Sequence, residues 1–130
     1  MAFRALLHLT LAVSALAAQA YAATPAPAGG VLTAAEVRAQ IVGHSVKSAD
    51  GEGGMSWYYY PTGKYDADDG RNARGGSYVV GADGRLCWTE NSGIKGCFQY
   101  YRQGKTLHIR RADPDNKFEL GPVKVGSLND

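Results

Sequence analysis

Hydrophobic and polar positions divide the chain into three stretches of different period. Residues 5–18 are almost wholly apolar, interrupted only by His8, Thr10 and Ser14, with Arg4 before them and Ala20-Tyr21-Ala22 after. A positive start, a short apolar core and small residues at the two positions that a signal peptidase reads make up a secretory signal. The apolar run is shorter than the roughly 20 residues needed to span a bilayer. Residues 1–22 are therefore expected to be removed on export, leaving no stable membrane span. Residues 23–31 hold two prolines and two glycines without periodicity and read as a flexible lead-in.

At residues 32–43 the period becomes helical. Thr33-Ala34-Ala35-Glu36 is a capping box, with Leu32 placed to staple onto Val37. Val37 and Ile41 share a face at helical spacing, and Gly43 supplies the stop. One short helix follows from this pattern. Beyond Gly43 the period is two. Tyr, Val, Thr and Trp are interleaved with Gly, Asp, Asn and Pro every eight to twelve residues. The spacing predicts strands over residues 44–48, 55–60, 76–80, 85–90, 95–102, 106–110 and 117–120. Short connections imply antiparallel neighbours. The fold class that results is mainly β, a small antiparallel barrel or curved meander sheet with one short N-terminal helix, occupying residues 32–130 as a single domain.

Cys87 and Cys97 are the two cysteines of the chain. With Asn91-Ser92-Gly93 as the turn, Cys87 falls directly opposite Cys97, and Trp88 opposite Gly96. Directly opposed strand positions are close enough for a disulfide, which an oxidising compartment favours. The same register puts Leu86, Trp88, Phe98 and Tyr100 on the core side, and Cys87, Cys97, Gln99 and Tyr101 on the other. In the next strand Leu107 and Ile109 alternate inward while His108 and Arg110 point out. Gly96 leaves room for the Trp88 indole to lie across its strand.

The runs Gly76-Ser77-Tyr78-Val79-Val80, Asp83-Gly84-Arg85-Leu86-Cys87-Trp88, Cys97 and Tyr100-Tyr101-Arg102 before Gly104, together with the upstream Tyr58-Tyr59-Tyr60-Pro61-Thr62-Gly63, resemble a group of short exported bacterial proteins catalogued as domain of unknown function 995. The resemblance spans about residues 33–120; at Tyr78 the family pattern has Trp. It implies a small exported β-rich domain and brings no catalytic residues with it.

Charge and candidate chemistry change this picture little. Without Arg4 the 14 Lys and Arg fall to 13, against 12 Asp and Glu. That balance lacks the basic excess of a nucleic-acid binder. No G-x-S-x-G elbow accompanies the histidines, and no catalytic residue is assigned. His44 and His108 lack zinc partners at motif spacing. The acidic run Asp66-Ala67-Asp68-Asp69-Gly70 fails the spacing of a calcium loop, because its fifth position is Gly70. It reads as a solvated loop, residues 66–74, and no metal or cofactor is expected. The aromatic content stands out. If Met55, Trp57 and Tyr59 face in, Tyr58 and Tyr60 face out, as a ring surface suited to protein or glycan. Tyr58, Tyr60, Asp66, Asp68, Arg71 and Tyr101 are thus the candidate binding residues, with Arg102, Arg110 and Arg111 near enough to meet an anion. The expected function is a periplasmic or secreted, non-enzymatic module that binds an envelope protein, a glycan or a small ligand. One alternative is an inhibitor or envelope-stress module resembling periplasmic lysozyme inhibitors, using the 66–74 loop. A hydrolase stands last for want of a triad. An internal cavity would favour ligand carriage; a solid core would favour surface binding.

Overall fold

The computed structural model describes residues 30–49 and 54–129. The expected signal segment, and the lead-in up to residue 29, lie outside the described residues. Eight antiparallel strands follow one helix and close on themselves: α1 Ala34–Gln40, β1 His44–Ser48, β2 Ser56–Tyr59, β3 Lys64–Asp68, β4 Ala73–Val80, β5 Leu86–Glu90, β6 Lys95–Gln103, β7 Thr106–Ala112 and β8 Lys117–Ser127. Each strand pairs with its sequence neighbour, and β1 pairs with β8 to complete the barrel. Closure leaves no free sheet edge, which settles the choice between barrel and open curved sheet. No helix among the described residues is long and apolar enough to cross a membrane.

The helix forms as its sequence dictates. The Glu36 N–H donates to Thr33 Oγ1 at 3.2 Å, and the Thr33 N–H donates to Glu36 Oε1 at 3.1 Å. Seven residues are too few for a helix to persist alone; burial of Val37, Ile41 and the preceding Leu32 in the common core holds it in place. Leu32 is anchored by its N–H to the Tyr100 carbonyl at 2.9 Å. Gly84, in the turn between β4 and β5, has φ +83°, and a Cβ there would lie 2.2 Å from the Leu32 carbonyl oxygen. Only glycine therefore lets that turn close over the start of the helix. The lead-in also makes contact earlier than its composition suggests. The Arg102 N–H donates to the Gly30 carbonyl, and Val31 bridges to Tyr101.

The helix plugs the end of the barrel where β2, β4 and β6 finish. Barrels of eight strands have an interior that side chains can fill. Here Val46, Tyr59, Leu86, Tyr100 and Ile109 fill its middle, all at most 1 % exposed. The hydroxyl of Tyr100 donates to that of Tyr59 at 3.1 Å, so two phenols are accommodated with a shared hydrogen bond. Burial is the first cause of the raised hydroxyl pKa of both.

The hairpin register holds as read. Cys87 pairs with Cys97, Trp88 with Gly96 and Leu86 with Phe98, and Cys87 and Cys97 are joined by a disulfide. Three expectations need correction. Residues 64–68 form β3, and the loop expected over 66–74 shrinks to a turn over 69–72. Tyr65 and Ala67 are buried while Lys64, Asp66 and Asp68 are exposed, so the alternation of a half-buried strand runs through the acidic patch. β8 does not stop at Leu120 but continues to Ser127, because β1 pairs along Val123–Ser127. Arg110 lies on the outer side of the alternation yet is 4 % exposed, with Glu119 opposite it in β8 and Tyr101 close by.

Candidate functional site

Among the described residues, the end of the barrel away from the helix is open. β1, β3, β5 and β7 finish there, and β2, β4, β6 and β8 begin. Inward-facing residues nearest that rim are roofed by nothing among the described residues, and they line a cavity of about 200 Å³. Trp57, Trp88, Phe98 and Tyr65 form its wall, with Ala67 as the small residue that leaves the space. The rings contact one another: Trp57 meets Phe98 edge-on at 5.4 Å between centroids, Trp88 lies 5.8 Å from Phe98, and Tyr65 lies 6.4 Å from Trp88. Edge-on and tilted arrangements of this kind are the favoured ones.

Trp88 owes its position to Gly96. A Cβ at that glycine would sit 2.6 Å from Cζ2 of the indole and 2.5 Å from Nη2 of Arg111. The indole therefore lies flat across the neighbouring strand, and the Arg111 guanidinium lies 4.9 Å from its ring centre. Arg111 is fixed in turn. Its Nε–H donates to Asp113 Oδ2 at 2.9 Å, while Oδ1 of the same carboxylate accepts the Cys97 N–H at 2.6 Å. Burial works to raise the Asp113 carboxyl pKa, but the Arg111 and Cys97 hydrogen bonds outweigh it and hold the group below its ordinary value. One carboxylate thus ties the disulfide hairpin to the cation above the indole.

The polar groups of the rim are Arg74, Arg111 and Glu90. Arg74 is half exposed and makes a loose pair with Asp69 at 3.7 Å. Tyr65, beneath them, has its hydroxyl pKa raised by burial and by the Glu90 carboxylate, with Arg74 opposing. The indole N–H of Trp88 is buried and has no acceptor. A register shift in the β7–β8 pairing adds the last element: Ile109 pairs with Gly121 and Arg110 with Glu119, leaving Leu120 as an extra residue that reaches the cavity. Bulges concentrate at barrel rims and beside binding sites, where they re-aim a side chain.

Four of the six candidates from the sequence come together elsewhere. Tyr58, Tyr60, Asp66 and Asp68 share the outer face of β2 and β3, bordering a shallow groove. Tyr58 is paired with Asp66, and the Tyr60 hydroxyl donates to Asp66 Oδ2 at 2.8 Å. That bond is the leading cause of the raised Tyr60 pKa. Arg71 sits at the tip of the 69–72 turn, where its N–H is held by Asp69 Oδ1. Tyr101 is on the far wall and is buried, with its ring stacked on His108 and its hydroxyl bonded to Glu119. It presents no surface to a partner. His44 hydrogen-bonds through Nδ1 to the Val42 carbonyl at the helix end. Among the described residues no three His, Cys, Asp or Glu side chains are grouped to hold a metal.

Sequence reasoning reads Trp57, Trp88 and Phe98 as core and so overlooks the mouth. The missing signal is the position of α1, the one helix among the described residues: it plugs one end, so the inner-facing aromatics nearest the other end line an opening. Compared with family models, curated proteins and solved structures, the chain matches none.

Proposed function

We propose that this protein is an exported small-ligand carrier or sensor, without catalysis of its own, that takes its ligand into the open mouth of the barrel. The observation that carries the reading is the cavity bounded by Trp57, Tyr65, Trp88 and Phe98 at the unplugged end. Concave, aromatic-lined sites with a few polar groups at the edge are the usual form of small-molecule sites, and the mouth of a β-barrel is a usual place for them. Eight-stranded barrels are wide enough to hold one small ligand. Export to the periplasm or beyond is supported by the signal-like residues 1–22 and by a disulfide of the kind that persists in oxidising compartments.

The outer groove beside Tyr58 and Tyr60 supports a second reading, contact with a protein or glycan. Against it, the Tyr60 hydroxyl is already committed to Asp66 Oδ2.

Both tryptophans of the chain line the mouth, so tryptophan fluorescence reports on that site. Titration with benzyl alcohol should give a saturable change, weakened about tenfold or more in Ala67→Leu, which fills part of the space. A linear, non-saturating response, or equal binding by the filled variant, would contradict the proposal.

A further inference from the structure

Size and donor chemistry narrow the ligand of this mouth. A closed apolar cavity of about 150 Å³ takes benzene, so the present 200 Å³ accommodates one six-membered ring with a short substituent. Below the ring layer Tyr59 and Tyr100 are wholly buried and cross the barrel with a shared hydrogen bond. A long acyl chain, a sterol or a macrocycle therefore finds no room.

The polar lining is strongly asymmetric. Arg74 and Arg111 offer guanidinium N–H groups. Glu90 is the one carboxylate in the lining. Arg111 uses Nε for Asp113 and reaches Lys95 only at 3.5 Å through Nη2, and no hydrogen bond occupies Nη1 among the described residues. Guanidinium forks match the geometry of a carboxylate.

We infer that the barrel mouth selects a monocyclic aromatic carboxylate, with its ring among Trp57, Tyr65, Trp88 and Phe98 and its carboxylate toward Arg74 and Arg111. The inference rests on the mouth being the binding site. It adds the sign and chemistry of the ligand. The ring fills apolar space that water occupies poorly, while the carboxylate meets donors at the rim and remains half solvated, so little desolvation opposes binding. A benzylic ammonium would meet two guanidinium groups and gain only from Glu90.

The test compares benzoate, benzyl alcohol and benzyltrimethylammonium by tryptophan fluorescence on the oxidised protein at fixed ionic strength. Benzoate is expected to bind about tenfold more tightly than benzyl alcohol, with the cation weakest. In Arg74→Gln the preference for benzoate over benzyl alcohol should fall severalfold, with Arg111 retaining the remainder. Arg74 is half exposed and outside the core, so the variant folds; an unchanged thermal midpoint verifies that. If benzyl alcohol saturates the site and benzoate binds equally or more weakly, the ligand class is overturned while the mouth reading stands. If no aromatic saturates it, both fall together. An undiminished benzoate preference in Arg74→Gln would also overturn the assignment of the carboxylate to Arg74.

Discussion

Removing the disulfide tests how this small barrel is held together. Cys87 and Cys97 are ten residues apart in sequence and lie directly opposite on β5 and β6. Cross-linking them restricts the unfolded chain, and for a loop of that length the chain-entropy relation gives roughly 2.7 kcal/mol at 25 °C. In a domain near 100 residues each kcal/mol moves the thermal midpoint by about 4–8 °C, so the loss corresponds to about 10–20 °C. The double variant Cys87→Ser with Cys97→Ser avoids leaving an unpaired thiol. Its urea unfolding, followed by tryptophan fluorescence, should keep a single transition with its midpoint shifted down, and a thiol assay on the unfolded wild type should find none free. A stability loss below about 1 kcal/mol would refute the reasoning. It would mean that the short turn over 91–93 already confines the unfolded hairpin, leaving the bond little entropy to remove.

Two further outcomes follow from the geometry beside that bond. Gly96→Ala places a methyl group against Trp88 and Arg111; it should cost about 1–3 kcal/mol in spite of the reduced unfolded-state entropy, and shift the emission of the displaced indole. For Asp113 the sign is set by its lowered folded pKa: its contribution to stability is present above the unfolded value near 3.8 and is lost as pH falls through the lower folded value. Wild-type urea midpoints should therefore drop as pH falls below about 4, and Asp113→Asn should show a shallower drop over the same interval.

The elements that were legible in the sequence are those in which local and tertiary preferences agree. The capping box at Thr33 and Glu36, the hairpin of β5 and β6 and the inward set Leu86, Phe98, Tyr100, Leu107 and Ile109 all appear where the pattern puts them. β3 was concealed because two aspartates and a lysine fill its outer positions, and such a density of charge resembles a loop. Its period is nonetheless two, with Tyr65 and Ala67 inside. The rest of β8 was concealed by Gly121 and Pro122. Proline cannot donate to a ladder and is tolerated at bulges; here it follows the register shift at Leu120. Arg111 is the instructive residue of the site. Extending the Leu107 and Ile109 alternation by two positions puts it inside the barrel, where a charge has no place in a sealed core. An inward arginine in the last turn of the ladder is a sign that the barrel is open at that end. The mouth itself depends on which end the helix plugs, and that is a property of the assembled fold, which no single stretch of sequence carries.

The central claim, that the ligand enters the open end, is tested most directly by two-dimensional ¹⁵N–¹H spectra of the labelled protein titrated with benzoate. The chain has two tryptophans and hence two indole N–H resonances, both from the mouth. The account predicts that both move in a saturable way, together with the amides of Ala67, Gly96 and Leu120. Unmoved indole resonances, with shifts gathered instead on Tyr58, Tyr60 and Asp66, would contradict it and transfer the site to the outer face.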